Sequence, residues 1–145
     1  MPIAFEKNPK IAEFVMNFKV YPEMIDENRH FNNVWAAQWI QDIAIAHSDK
    51  SGGYDLMHQL GAGWMIRTQH IEYRNQAFLG DDIIGTTWVD GMSKLASLRK
   101  SRFVRASDGK VIFESETTWV FMDMTRGRPM AIPDEMWAVY QTQIK

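Results

Sequence analysis

Residues 25–47 read "IDENRHFNNVWAAQWIQDIAIAH". From Val34 to His47 the stretch is apolar almost all round. Before its end the only polar side chains are Gln38, Gln41 and Asp42, which share one narrow strip at helical spacing. A helix apolar over most of its circumference must be enclosed, and a curved sheet is the obvious enclosure. The residues just upstream have the opposite character: Asp26, Asn28 and His30 put an acid, an amide and an imidazole at the mouth of this helix. The helix is expected to begin near Asn32 or Asn33, either of which can cap it by accepting a bond from an early backbone N–H.

The flanking sequence supplies the sheet. Upstream, "EFVMNFKV" (13–20) alternates Phe14, Met16, Phe18 and Val20 against Glu13, Asn17 and Lys19, the pattern of a half-buried strand. Downstream, "SGGYD" breaks the helix and a short helical turn is expected around Leu56 to Leu60. Four strand-like segments follow, Trp64–Gln76, Asp82–Asp90, Leu95–Ala106 and Val111–Met124, separated by the turn-forming clusters "LGDD", "DGMS" and "SDGK". The tail "IPDEMWAVYQTQ" sets Pro133 at a helix start with Asp134 and Glu135 in its first turn, where the dipole favours negative charge. The expected fold is α+β: about five antiparallel strands wrapping one long helix, with a short C-terminal helix.

Global properties narrow the function. A chain of 145 residues suits a single domain over 1–145, and no repeat, low-complexity tract or linker marks a boundary. With 46% hydrophobic and 23% charged residues it has an ordinary globular composition, and no run approaches the roughly 18 apolar residues of a membrane span. The start, "MPIAFEKNPK", lacks the basic and apolar regions of a signal peptide, so a cytoplasmic location is expected. The absence of cysteine excludes disulfides, thiolate metal sites and a cysteine nucleophile. A net charge of −2 gives no global attraction to nucleic acid.

A helix N-terminus carries unpaired N–H groups and partial positive charge, so it can polarise a carbonyl and hold the oxyanion formed when that carbonyl is attacked. A carboxylate in the preceding loop would sit near the attacked carbon. Asp26 could then activate water as a general base or attack as a nucleophile, with Asn28 and His30 orienting water, substrate or Asp26 itself. The competing reading is a polar loop whose residues serve only as caps, since these residue types are favoured at helix starts for structural reasons.

The motif "IDENRHFNNVWAAQWI" resembles the signature of hotdog-fold acyl thioesterases, in which an Asp, three further residues, a His and a Val-Asn-Asn-like stretch lead into the central helix. Its Asp-x-Asn-x-His form is most similar to plant-type and bacterial acyl-carrier-protein thioesterases, and the single Asp also matches the 4-hydroxybenzoyl-CoA thioesterase branch. The resemblance extends through "IEYRNQAFLGDDIIGTTWV" and "TTWVFMDMTRGRPMAIPDE", and so from Phe14 to Glu135. It implies that Asp26 is the catalytic carboxylate, that Asn28 and His30 are its companions, and that the substrate is an acyl-CoA or acyl-carrier-protein thioester. Asn33, at the helix start, and Gln76 are then candidate substrate contacts. Two departures stand out: Arg29 occupies a position where many CoA thioesterases have glycine, and Gln76 lies near a further acidic residue of the plant-type enzymes. Those enzymes are two hotdogs in tandem, whereas this chain has length for one. The resemblance therefore implies a homodimer or homotetramer with its active sites at an interface.

The remaining candidates have plain alternatives. His47, His58 and His70 lack close ligand spacing, so no metal or other cofactor is expected. Asp81 and Asp82 read as a solvated turn. "KLASLRKSRFVRASDGK" carries Lys94, Arg99, Lys100, Arg102, Arg105 and Lys110 against Asp108 alone. As a strand it reads first as a solvated face; the sharper reading makes Arg99 and Arg102 substrate contacts toward CoA phosphates or an acidic carrier. Trp35 and Trp39, four apart, form a helix-face pair suited to the core. The rival to hydrolysis is a hotdog module that binds acyl groups without turnover.

Overall fold

The computed structural model describes residues 3–144. In chain order the elements are β1 (Glu6–Lys7), β2 (Phe14–Lys19), α1 (Asn33–Ser51), α2 (Gly53–Gln59), β3 (Ala62–Tyr73), β4 (Asp82–Met92), β5 (Ala96–Arg105), β6 (Val111–Asp123), β7 (Arg128–Pro129) and α3 (Asp134–Val139). All strand pairs are antiparallel. The sheet runs β1-β4-β5-β6-β3, with β2 also on β4 and β7 on β6. This is the hotdog arrangement, a curved antiparallel sheet around a central helix with a short C-terminal helix. The five long strands, β2 to β6, are those the alternation announces; β1 and β7 are two-residue additions. No helix among the described residues is long and apolar enough to cross a membrane.

Several boundaries differ from expectation: α2 starts at Gly53, within the expected break, and β3 starts at Ala62, and two further differences have a cause in neighbouring strands. The strand expected to reach Gln76 ends at Tyr73, because the N–H groups of Arg74 and Asn75 both turn to the Ile112 carbonyl (2.8 and 3.2 Å). β4 does not turn at "DGMS" but continues through Gly91 to Met92 over a bulge. A side chain at Gly91 would meet the Glu6 carbonyl oxygen at 2.8 Å, so this glycine admits the β1 backbone instead of making a turn.

Helix α1 starts as its sequence requires. Asn32 is the cap, with extended backbone and a side-chain oxygen that accepts from the Val34 N–H at 3.0 Å, and Asn33 is the first helical residue. The helix passes His47 and runs to Ser51, ending on Gly52 in the left-handed conformation (φ 88°). Its buried positions are Ala36, Trp39, Ile40, Ile43, Ala44 and His47. The expected enclosure is achieved on one face only, because a single sheet covers a single side; Val34 and Ile45, on the far side, are 71% and 56% exposed. On the covered side Gly85 permits close approach, since a Cβ there would lie 2.8 Å from both the Phe18 and Phe103 rings and 3.0 Å from Ile43.

The core has two apolar clusters. One gathers Phe31, Trp39, Phe103 and Phe113 under the first half of α1, with Trp35 partly buried against it, and extends along the helix to Phe14, which stacks on His47 at 5.2 Å. The other joins Val89, Phe121, Met136 and Tyr140 beneath α3. Between the clusters in the strands lies a buried polar layer: Thr87 on β4, Arg99 and Ser101 on β5, Ser115 and Thr117 on β6.

Candidate functional site

The chain between β2 and α1 closes into a tight loop. Ile25 bridges to Phe31, the Asp26 N–H donates to the His30 carbonyl (2.9 Å), and the Arg29 N–H donates to the Asp26 carbonyl (3.0 Å). Closing so short a loop requires a left-handed residue, and Arg29 supplies it with φ 65°. The departure from glycine at this position therefore keeps a glycine-like backbone.

Within the loop the Asp26 carboxylate is oriented by its own backbone. Its Oδ1 accepts from the N–H groups of Asn28 (2.9 Å) and His30 (3.0 Å), while Oδ2 has no hydrogen-bond partner among the described residues. One oxygen is fixed and the other is left for a water or a substrate. Asp26 is partly buried and Asn28 exposed. The His30 ring packs edge-on against Phe78 at 6.0 Å. Sequence reasoning misses Phe78, because an aromatic after a strand carries no signal of which loop it will meet.

Beside the loop is a cleft of ≈ 310 Å³ whose lining includes Phe31, Asn33, Tyr73, Gln76 and Ala77. Asn33 and Gln76 thus share one cavity. It is joined to the Asp26 loop by the Phe31 N–H, which donates to the Ala77 carbonyl at 3.1 Å. Asn33 stands at the first turn of α1, where backbone N–H groups have no intrahelical acceptor, and no acceptor for its N–H occurs among the described residues. The Gln76 segment is held from below by Arg105, which donates to the Gln76 carbonyl (2.7 Å) and pairs with Asp81 (3.3 Å) and Asp108 (3.2 Å). Hydrogen bonding to Asp108, followed by that to Asp81, raises the Arg105 pKa, and Asp108 is lowered by the Lys110 N–H and by Arg105.

The basic stretch divides by strand face. Arg102 lies on the outer surface of the sheet, where it pairs with Glu114 (3.4 Å) and covers the Trp88 ring; Lys100 there meets Asp90 and Glu116. The solvated-face reading fits these two. Arg99 departs from the solvated-face reading, because its side chain turns inward and is 4% exposed. Its Nη1 donates to His47 Nδ1 (2.9 Å) and Thr87 Oγ1 (3.1 Å), and its guanidinium lies 5.3 Å from the Tyr140 ring centre. His47 is fourteen residues along α1 from Asn33, about 20 Å by helical rise, so Arg99 is remote from the Asp26 loop. Burial, followed by the charge of Arg99, holds the His47 pKa down to about 3. His58 and His70 are surface residues, the first against Tyr54 and the second beside Glu72.

Comparison with known proteins follows the same outline. Among proteins of curated function none matches the chain by sequence. The structure resembles the probable thioesterase YbaW from Escherichia coli (TM-score 0.82, 18% identity, 90% of this chain and 98% of that one). It also resembles an oleoyl thioesterase (putative) from Lactobacillus plantarum (TM-score 0.86, 16% identity, 97% and 55%). A third is the 12:0-ACP thioesterase from Umbellularia californica (TM-score 0.79, 16% identity, 91% and 52%). The chain spans about half the length of the last two. At these identities the likeness is one of fold. The family model for the acyl-ACP thioesterase N-terminal domain matches residues 12–140, a span that takes in the Asp26 loop, α1, strands β2 to β7 and α3. By that match, the chain belongs to the acyl-ACP thioesterase N-terminal domain family.

Proposed function

We propose that the protein hydrolyses an acyl thioester of CoA or acyl-carrier protein, releasing a free acid and a thiol. The observation that carries this reading is the Asp26 carboxylate with one oxygen tied down and the other unpartnered, in the loop that delivers the chain to the start of α1. The thioester carbonyl would be polarised by the free N–H groups of the first helical turn, at Asn33. Asp26 then draws a proton from water or attacks the carbon itself, while Asn28 and His30 position the reacting groups. Gln76, across the cleft from Asn33, would contact the substrate. Family membership supports the thioester class. One structural neighbour, from Staphylococcus aureus, was solved in complex with CoA, and the Umbellularia neighbour is an ACP thioesterase; both carriers therefore stand as candidates. The working form on this reading is a single hotdog unit per chain, paired as a homodimer or homotetramer in the cytoplasm, with no metal or other cofactor.

The same two bonds to Asp26 Oδ1 are what a loop cap would make, and this favours the alternative of an acyl-binding module without turnover. The two readings part on one substitution. Asp26→Asn keeps a carbonyl oxygen to accept both N–H bonds but removes the base, so the loop should survive. Loss of a general base costs on the order of a hundredfold to ten-thousandfold in rate. Because the protein has no thiol, a thiol reagent reads released CoA directly. Expected is hydrolysis of one or more acyl-CoAs or acyl-carrier proteins by the parent, and a kcat loss of that size in Asp26→Asn at an unchanged melting temperature. Parent-like turnover in the variant would remove Asp26 from the mechanism, and no release from any substrate would leave the binding module.

A further inference from the structure

A second cavity, of ≈ 390 Å³, opens at the other end of the molecule between the C-terminal half of α1, α2 and the inner face of β3, β5 and β6. Much of its wall is apolar, including Ala44, Ile45, Met57 and Trp64, and its size falls in the range of about 300–1,000 Å³ typical of small-molecule sites. Arg99 also lines it. The surroundings of this guanidinium are unusual: it is buried, no carboxylate lies within ion-pair distance among the described residues, and His47 Nδ1, Thr87 Oγ1 and the Tyr140 ring are its contacts. His47 cannot share the charge, since it is neutral at ordinary pH and serves as the acceptor. Two of the five donors of the guanidinium are committed to His47 and Thr87. A desolvated cation without an anion is costly, and a carboxylate meeting the planar fork is the group that relieves the cost. A second donor on the same wall is also unmatched: the buried Nε1–H of Trp119 has no acceptor.

We propose that this cavity binds a small amphiphilic monocarboxylate, its head paired with Arg99 and its tail lying against the apolar wall. The site is separate from the Asp26 loop, and the inference does not rest on the role given to Asp26. A free acid of modest chain length has the required chemistry, so the cavity would hold the class of molecule that thioester hydrolysis releases.

Titration calorimetry of the intact protein with octanoate, 1-octanol and octylamine tests the charge requirement at constant tail. Octanoate should bind about ten- to a hundredfold more tightly than octanol, the worth of a charge-assisted bond, and octylamine most weakly. In Arg99→Met, checked for folding by its melting transition, octanoate and octanol should become equal. A second variant protects the test from misfolding: Ile45→Trp, at an exposed position on the cavity wall, should weaken octanoate binding while leaving the buried layer intact. The Trp119 indole N–H resonance should move with octanoate in the parent. Asp26→Asn should bind octanoate like the parent. Equal affinity for octanoate and octanol in the parent, or no octanoate binding at millimolar concentration, would overturn the proposal. So would an Arg99→Met protein whose loss of binding is accompanied by loss of self-association in light scattering, because the anion would then be a carboxylate of a second copy.

Discussion

At the scale of single residues, Arg29 shows how a substitution of type can preserve a conformation. With φ 65° it holds a backbone shape that costs a non-glycine residue about 1–2 kcal/mol, while Asp26, three residues before it, depends on the resulting turn for its two N–H bonds. Arg29→Gly should therefore keep or raise the melting temperature and retain activity. Arg29→Val, β-branched where φ is positive, should lose roughly 1–2 kcal/mol in denaturant unfolding and lower kcat through the displaced carboxylate. A Val variant as stable and active as the parent would show that the loop geometry does not govern the site. Residue identity alone does not tell Arg99 from Arg102. Both stand in one basic run, and the acids that pair with its outward cations, Glu114 with Arg102 and Asp90 and Glu116 with Lys100, come from other strands, so counting charge along the chain overstates the basic character of this face. Strand alternation does separate odd from even positions, but the sign of the separation depends on which face the helix covers.

At the scale of elements, the helix and the strands are legible because their periodicities are strong: β2 alternates as written, the Asn32 cap is one of the two asparagines that the sequence offers for it, and α3 follows Pro133. What escapes the sequence is fixed by neighbours in space. β4 runs through an apparent turn because β1 needs Gly91, and β3 stops at Tyr73 because Ile112 captures the next two N–H groups. The candidate site is legible as a motif, Asp26, Asn28 and His30 in one loop, but Phe78 and Arg105 enter it only through folding. β3 also bears on assembly. It is twelve residues long, pairs among the described residues with β6 alone, and exposes Met65 and Ile66. Long exposed edges with apolar residues are ready templates for pairing. A second copy added edge to edge should give twice or four times 16.9 kDa in light scattering at micromolar concentration, and Met65→Glu with Ile66→Glu should return the single-chain mass. A parent of single-chain mass at that concentration would refute pairing through β3.

At the scale of the whole molecule, the buried polar layer ties stability to pH through His47. Its folded pKa, about 3, lies below the ordinary 6.5, so between those values the unfolded chain binds a proton that the folded one does not. Stability is then full above about pH 6.5 and falls as pH drops toward 3. Between about pH 6.5 and 4.5 the loss should be on the order of 2 kcal/mol, read as a falling urea midpoint. His47→Asn, which keeps an oxygen for Arg99 near the Nδ1 position but does not titrate, should flatten that slope; an unchanged slope would assign acid sensitivity to other groups. The same layer has a second consequence, for strand pairing. Arg99 faces Thr117 and its neighbour Lys100 faces Glu116, so inward and outward cations alternate along β5 against matching partners on β6. Sliding β5 by one residue would push Lys100 into the hollow beneath the helix and drive Phe103 out into water, an error penalised twice over. The row of polar side chains thereby serves as a ratchet pawl, leaving the two ladders that β5 makes one place to stop.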